Sequence, residues 1–200
     1  MSRPDAGAWK ALKKLCRYVK GQPTVKQVVP FGSENGRVLE VFVDADWAGF
    51  ATTRKSTNGG AVMWNGTCLK TWSTTQTMIA LSSGEAEYYG LVSGVSQVFG
   101  MISMAKDWGI LLKGHVWMDA TAGMAIGSRR GLGKVKHIDT AFLWVQDAVS
   151  KGKVTLGKKD TKDMLADILT KPSEWKVIEK MNSGMGYRFQ GGKHELGLRA

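Results

Sequence analysis

The sequence is poor in cysteine, in acidic residues and in long apolar runs. Only two cysteines occur among 200 residues, Cys16 and Cys68, and neither has a second cysteine or a histidine nearby. This spacing indicates neither a disulfide framework nor a zinc site. No apolar run approaches the roughly 20 residues of a membrane span, and the N-terminus has no signal-peptide core. The sequence therefore predicts an intracellular protein, cytoplasmic or nuclear, without a membrane partner.

Acidic residues are outnumbered by basic ones. The chain has 28 lysines and arginines against 17 aspartates and glutamates, which gives a formal net charge of +11. Such an excess favours a polyanionic partner, above all a nucleic acid, although basic proteins without one exist. Hydrophobic residues make up 43% of the chain. This content is sufficient for one globular domain with additional segments at its ends.

Apolar spacing, glycines and prolines divide the chain into three segments. Residues 4–20 place apolar side chains at helical spacing among lysines and an arginine, and a stretch with prolines and glycines follows. Residues 1–35 are therefore predicted to be a basic helix and a linker. Residues 36–172 are predicted to form the main domain. The Gly-rich, basic residues 173–200 are predicted to be a loosely ordered tail.

The main domain begins with β-type patterns. Residues 39–44 are mostly apolar on both alternating faces, which predicts a strand in the centre of a sheet. The dipeptide at 65–66 is Asn-Gly and joins β-type runs at 59–64 and 67–74. Asn-Gly in this position predicts a hairpin, so these strands should be antiparallel neighbours. From residue 82 the apolar spacing changes to three and four, which predicts a helix as far as residue 108.

Helices and short strands alternate in the rest of the main domain. Strands are predicted at residues 115–119 and 153–156, and helices at 137–149 and 161–171, the last of them ended by Pro172. Strands separated by helices imply parallel crossovers. The predicted fold class is therefore α/β, a mixed sheet with helices packed on it.

Four acidic residues lie where the sheet and its helices could present them together. Asp44 and Asp119 each end a strand, whereas Glu87 and Asp167 flank the apolar faces of predicted helices. Four carboxylates without basic partners raise one another's pKa values, so the arrangement favours hard divalent cations such as Mg²⁺. Two such ions can activate water and stabilise the leaving oxygen of a phosphodiester. Singly, Asp44 could also begin a turn and Glu87 could pair with a lysine.

A neighbouring glutamate has a structural explanation. Ser82 and Glu85 have the spacing of a capping box, in which each side chain bonds to the backbone of the other residue. Glu85 is therefore predicted to cap the long helix, and Glu87 to face the sheet.

Two groups of basic residues are candidates for phosphate contacts. Residues 50–84 contain no acidic residue, and a second basic group precedes His137. The candidates are Arg54, Lys55, Lys70, Arg129, Arg130, Lys134 and Lys136. For any one of them a solvated surface charge is an equally good interpretation. His137 and Asp139 are more often helix-capping residues than catalytic ones. Trp47 is the tryptophan expected nearest to a substrate.

Five sequence blocks stand in the order and spacing of a known family. They are DADWAG (44–49), RKST (54–57), ALSSGEAEY (80–88), KHID (136–139) and LADILTK (165–171). The chain resembles the ribonuclease H region of copia-type LTR retrotransposon Pol polyproteins. The resemblance covers about residues 5–172, because residues 9–21 are also similar to the helical segment that joins the reverse transcriptase to its RNase H.

This resemblance implies a fold and an activity. The fold is RNase H-like, with five strands in the order 3-2-1-4-5. Asp44, Glu87, Asp119 and Asp167 fall on the catalytic, metal-binding carboxylates, which hold two Mg²⁺ ions, with Mn²⁺ as an alternative. The activity is endonucleolytic hydrolysis of the RNA strand of RNA/DNA hybrids during reverse transcription. The implied partners are the hybrid and a reverse transcriptase domain upstream in a parent polyprotein.

Two features depart from related patterns. The Asn-Gln-Ser that usually follows the third acid is Ala120-Thr121-Ala122 here, and residues 157–162 lack the mobile histidine of cellular RNases H, as is common in the copia group. One alternative is therefore a domesticated RNase H-like module, catalytically weak or inactive, that binds nucleic acid. Another, an integrase or transposase of the same superfamily, fits the motifs less well.

Overall fold

The computed structural model describes residues 5–21, 24–30, 36–131, 133, 138 and 142–190. Its helices and strands in chain order are α1 (Ala6–Gly21), β1 (Thr24–Gln27), β2 (Val38–Asp46), β3 (Thr57–Trp64), β4 (Thr67–Thr75), α2 (Ser83–Asp107), β5 (Lys113–Met118), α3 (Thr121–Ser128), α4 (Trp144–Ser150), β6 (Val154–Lys158), α5 (Trp175–Gly184) and β7 (Tyr187–Gln190). None of the helices in these ranges is both long and apolar enough to cross a membrane.

Five strands form one mixed sheet in the order β4-β3-β2-β5-β6. Strand β3 pairs antiparallel with both β2 and β4, whereas β5 is parallel to β2 and β6 is parallel to β5. Counted along the chain, this is the predicted order 3-2-1-4-5. Helices α3 and α4 lie in the crossover from β5 to β6, as parallel pairing requires. The predicted α/β fold class is confirmed.

Strand β2 is the central strand, and both of its faces are buried as predicted. Leu39, Val41 and Val43 lie in the larger apolar core, together with residues of α2, α3 and α4. Phe42 points to the opposite face and lies in a second core that includes Met164. A strand held from both sides is a rigid support for the acidic residue near its end.

The Asn-Gly hairpin and the capping box both form. Asn65 and Gly66 have φ angles of 49° and 73°, the two positive values that a type I′ turn needs. At the start of α2, the backbone N–H of Glu85 donates to Ser82 Oγ at 3.2 Å. The Glu85 carboxylate accepts from the N–H of Leu81 at 2.8 Å. The reciprocal bond of the box therefore reaches one residue further back than predicted, and Glu85 is a capping residue.

The predicted helix at residues 161–171 is wrong. Two short 3₁₀ helices, Thr161–Asp163 and Asp167–Leu169, stand on either side of residues 164–166. Met164, Leu165 and Ala166 are all buried in the second core. In an α-helix three successive side chains span about 200°, so an amphipathic helix on the sheet would direct one of them away from this core. Burial of all three in the second core favours the irregular backbone that stands here instead.

The prediction of a loosely ordered tail is wrong for residues 175–190. These residues form α5 and β7, and β7 pairs antiparallel with β1, which lies in the predicted linker. The physical reason is burial, because Met181 and Met185 complete the second core. Residues 191–200 lie outside the described ranges. The bounds of the main domain, residues 36–172, stay a prediction.

The remaining predicted helices differ in their extent. The basic helix at residues 4–20 is found as α1, which has no buried residue. Of the helix predicted at 137–149, the described part begins at Trp144. The capping residues proposed for its start, His137 and Asp139, lie outside the described residues.

Candidate metal centre

Three of the four predicted acids meet at one edge of the sheet. Asp44 lies near the end of β2, Asp119 directly follows β5, and Glu87 lies in the first turns of α2. One oxygen atom from each of these carboxylates lies within 4.8 Å of the other two. Because β2 and β5 are parallel neighbours, their carboxyl ends are at the same edge. The sheet topology therefore brings the acids together. We call these three residues the acid cluster.

Asp167 lies beside the acid cluster but is not one of its members. Its charge contributes to the raised pKa of Asp44, which indicates that the two carboxylates are close. The Lys171 Nζ atom lies 2.5 Å from Asp167 Oδ1. The expectation that all four acids lack a basic partner is therefore wrong for Asp167. The chain turns between these residues, so Lys171 comes to lie beside the carboxylate four positions earlier.

Two threonine hydroxyls hold acids of the site in place. Thr170 Oγ1 donates a short hydrogen bond to Asp44 Oδ2. Thr161 Oγ1 donates to Asp119 Oδ2 at 3.0 Å. A hydroxyl fixes the position of a carboxylate without neutralising its charge. Neither threonine has a sequence signal of its own beyond the presence of Thr170 in the LADILTK block.

Gly59 allows the segment that carries Asp167 and Thr170 to reach the sheet. It stands directly opposite Asp44 in the β2–β3 register. A Cβ atom at this position would lie 2.7 Å from Thr170 Cγ2 and 2.9 Å from the backbone oxygen of Ala166. Such distances are shorter than real Cβ contacts, so only glycine permits this close approach.

We expect Gly59→Ala to destabilise the protein by about 1 to 3 kcal/mol, the usual cost of overpacking. The added methyl group should also move Thr170 away from Asp44. Urea unfolding measures the first effect, and the rise of the melting temperature with Mg²⁺ measures the second. Gly100→Ala is the matched control, because a Cβ atom there meets nothing within 4 Å. Equal stability of the two variants would contradict the proposed role of Gly59.

The electrostatics of the acid cluster favour a bound cation. Glu87 is 8% exposed, and its Oε2 atom has no hydrogen-bond partner among the described residues. Burial and then the charges of Asp44 and Asp119 raise the pKa of Glu87 to about 8, while a hydrogen bond from the Ala45 backbone opposes the shift. Burial also raises the pKa of Asp44, against the lowering effect of the Thr170 hydroxyl.

The donor set fits a hard divalent metal. It consists of carboxylate oxygens, one of them buried and without a partner, and it includes neither histidine nor cysteine. Oxygen-only sites suit Mg²⁺ or Mn²⁺ rather than zinc. The residues present therefore fit the ions that the resemblance implies.

The stability of the metal-free protein should fall as the pH rises from about 5 to 8. The pKa of Glu87 is raised from 4.5 to about 8 on folding. Between these values the folded protein holds a proton that the unfolded chain has released, so the free energy of unfolding decreases with pH. The slope from this group is at most about 1.4 kcal/mol per pH unit. Urea unfolding in EDTA at several pH values measures it. Glu87→Gln should flatten the profile, and an equally steep profile in that variant would contradict the assignment.

The predicted phosphate-contacting residues lie at different distances from the acids. Arg54 and Lys55 belong to the loop between β2 and β3, at the same edge of the sheet as the acid cluster. Lys70 lies on β4, two strands away from β2, and its Nζ atom donates to Gln97 Oε1 at 2.8 Å. The structure therefore does not bring Lys70 to the site.

The second basic group is only partly described. Arg129 and Arg130 follow the C-terminal end of α3, which begins just after Asp119. The helix has 8 residues, so these arginines lie roughly 12 Å beyond its start. Lys134 and Lys136 lie outside the described residues.

Comparison with known proteins identifies relatives among retrotransposon polyproteins. No protein-family model matches the chain. The retrovirus-related Pol polyprotein from transposon RE2 of Arabidopsis thaliana is 30% identical over 189 residues, which are 93% of this chain and 13% of that polyprotein. The corresponding polyprotein from transposon TNT 1-94 of Nicotiana tabacum is 27% identical over 173 residues, 86% of this chain and 13% of its own length. The chain thus spans a small part of these relatives.

A solved structure of an RNase H1 isolated from compost, LC11-RNase H1, is also similar to the chain. The TM-score is 0.47 at 15% sequence identity, and the alignment covers 68% of this chain and 93% of that protein. The polyprotein relatives confirm the resemblance that the five sequence blocks predict, and the strand order agrees with it. The chain is therefore homologous to a segment of copia-type retrotransposon Pol polyproteins, and its sheet has the strand order that this resemblance predicts for an RNase H-like fold.

Proposed function

We propose that this chain is a Mg²⁺-dependent endonuclease that hydrolyses the RNA strand of RNA/DNA hybrids. The convergence of Asp44, Glu87 and Asp119 within 4.8 Å carries the proposal. Burial, and then the repulsion between acids at this distance, raises the pKa values of Asp44 and Glu87. A cation relieves the repulsion, so the arrangement favours metal binding over a purely structural role.

Each residue of the site would have a distinct task. Asp44, Glu87 and Asp119, with Asp167 beside them, would hold two Mg²⁺ ions, which when bound supply a nucleophilic water and stabilise the charge of the leaving oxygen. Thr170 keeps the Asp44 carboxylate directed at the acid cluster. Lys171 compensates the charge of Asp167, which lowers the repulsion that a phosphate would meet here.

The choice of an RNA/DNA hybrid depends on the resemblance to RNase H regions of retrotransposon polyproteins. The net charge of +11 suits any nucleic acid, so charge does not select the hybrid. In a parent polyprotein, a reverse transcriptase domain upstream would produce the hybrid on which this segment acts.

The test is a cleavage assay with the full chain. A hybrid with end-labelled RNA is incubated with millimolar Mg²⁺, with EDTA, and with the Asp44→Asn variant. We expect cleavage of the RNA strand only with wild type and Mg²⁺, with 3′-hydroxyl and 5′-phosphate ends. Single-stranded RNA and double-stranded DNA should stay intact. Undiminished cleavage by Asp44→Asn would assign the activity to another site or to a contaminant.

One observation favours a second candidate function, a nucleic-acid-binding module without turnover. The residues after Asp119 are Ala120, Thr121 and Ala122. Ala120 occupies the N-cap position of α3, where it makes no side-chain hydrogen bond. Polar groups that could orient a nucleotide are therefore fewer at this point. Salt-sensitive binding of the hybrid by a folded protein, with no cleavage in Mg²⁺ or Mn²⁺, would favour this alternative.

A further inference from the structure

Five large apolar side chains are exposed next to the acid cluster. They come from two loops, residues 47–56 after β2 and residues 76–82 before α2, and between 43% and 67% of each is exposed. Single exposed apolar residues are normal, but a group at the edge of a polar site marks an interaction surface. We call this group the apolar rim; it consists of Trp47, Phe50, Met78, Ile79 and Leu81.

Hydrogen bonds hold the two loops together. Trp47 Nε1 donates to the backbone oxygen of Ala80 at 3.0 Å, and Ala80 is itself buried. The backbone N–H of Gln76 donates to the backbone oxygen of Ser56 at 2.8 Å. The Trp47 ring is therefore presented in one orientation although about half of it is exposed. A ring fixed in advance loses little side-chain entropy when a partner binds.

The apolar rim borders the acid cluster along the chain and in space. Trp47 follows Asp44 by three residues, where β2 leaves the sheet. Leu81 directly precedes the N-cap of α2, the helix that carries Glu87. The loops therefore stand at the same edge of the sheet as the acids. A molecule that lies across the acids would also meet the rim.

The charges around the apolar rim indicate what kind of partner it fits. Arg54 is exposed on the same loop as Phe50, and the backbone of the loop joins them through an N–H···O bond of 2.7 Å. Lys55 follows, and residues 50–84 contain no acidic residue. A surface that combines apolar side chains with cations fits a nucleic acid, which offers sugar and base faces beside phosphates.

We propose that the apolar rim binds the nucleic acid next to the acid cluster, with Trp47 and Leu81 packed against sugar and base faces and Arg54 on a phosphate. The inference rests on the proposed function for the choice of an RNA/DNA hybrid. It concerns binding, and it can be tested without any cleavage.

Salt dependence separates the two kinds of contact. Hybrid binding is measured by fluorescence anisotropy in EDTA, between about 50 and 200 mM salt, with the full chain. Trp47→Ala should weaken binding roughly 5- to 160-fold at every salt concentration, the range of aromatic contacts with nucleic acids. The slope of log K against log salt should not change. Arg54→Gln should instead lower that slope by about 1, because one phosphate contact is lost.

Trp108→Ala is the matched control for the loss of an exposed tryptophan. Trp108 is 69% exposed, and it follows the C-terminal end of α2, about 30 Å along the helix from Glu87. This variant should bind the hybrid like wild type. Equal weakening by Trp108→Ala and Trp47→Ala would overturn the proposal, because a specific surface cannot be at both places.

Leu81→Ser keeps the proposal testable if Trp47→Ala disturbs its loop. The Leu81 side chain is 67% exposed, so its replacement should leave the fold intact and still weaken binding with an unchanged salt slope. Wild-type affinity of Leu81→Ser would overturn the proposal, as would rim variants that change only self-association. Rim-dependent binding without cleavage would contradict the proposed nuclease and leave this inference standing. Cleavage by a protein whose hybrid binding does not depend on the rim would support the proposed nuclease and overturn this inference.

Discussion

Replacing Glu87 by glutamine should abolish cleavage of the hybrid, whereas replacing Glu85 should mainly lower stability. Glu87 has a buried carboxylate oxygen without a hydrogen-bond partner among the described residues, and one of its carboxylate oxygens lies within 4.8 Å of oxygens of Asp44 and Asp119. Residues that only support metal ligands typically contribute 10- to 100-fold, so loss of a direct ligand should exceed about 100-fold. The cleavage assay with millimolar Mg²⁺ measures this loss.

Glu85→Gln is the matched control, two residues away on the same helix. Its carboxylate accepts hydrogen bonds from the N–H of Leu81 at 2.8 Å and from the Tyr89 hydroxyl at 2.7 Å. An amide replaces one acceptor oxygen by a donor, so we expect a loss of about 1 to 2 kcal/mol in the free energy of unfolding. Activity per folded molecule should change little. Equal losses of activity at unchanged stability in both variants would overturn this division of roles.

Asp119→Asn should stabilise the metal-free protein and reduce its response to Mg²⁺. The Asp119 charge contributes to the raised pKa values of both Asp44 and Glu87, so its removal relieves repulsion inside the acid cluster. For wild type, Mg²⁺ at a hundredfold excess over its dissociation constant should add about 2.7 kcal/mol. This gain corresponds to several degrees in melting temperature. The variant should gain much less, because one ligand is missing.

Melting curves in EDTA and in millimolar Mg²⁺ test both effects, the higher stability without metal and the smaller gain from Mg²⁺. Asp107→Asn removes the same charge at the far end of α2, where the side chain is exposed, and should leave the Mg²⁺ response unchanged. Asp167 is a poor choice for this experiment, because its ion pair with Lys171 would be broken at the same time. If Asp119→Asn melts lower without metal and gains as much from Mg²⁺ as wild type, the three carboxylates do not form one site.

Local patterns in the sequence determined most of the sheet. A central strand needs two apolar faces, which residues 39–44 largely have, and a type I′ hairpin needs two residues that accept positive φ, which Asn65 and Gly66 provide. The five sequence blocks added the strand order through resemblance. Acids at strand ends could be selected in advance, because parallel neighbours present their carboxyl ends at one edge. For these features the local chemistry and the final fold agree.

The surroundings of the fourth acid depended on contacts that no local pattern contains. Thr170 meets Asp44 across 126 positions of the chain, and the approach is open only because residue 59 has no side chain. Lys171 was visible in the sequence, but its place beside Asp167 follows from the turn that replaces the predicted helix.

Composition, periodicity and short motifs thus determined the fold class, the central strand, the hairpin and the cap of the long helix. They also selected the acidic residues that are candidates for metal binding. Tertiary structure alone decided the conformation of residues 164–166, the folding of residues 175–190 into a helix and a strand, and the exposure of the apolar rim. The physical reason is the same in each case. Whether an apolar side chain is buried depends on which distant segments cover it, and short segments follow that burial rather than their own periodicity.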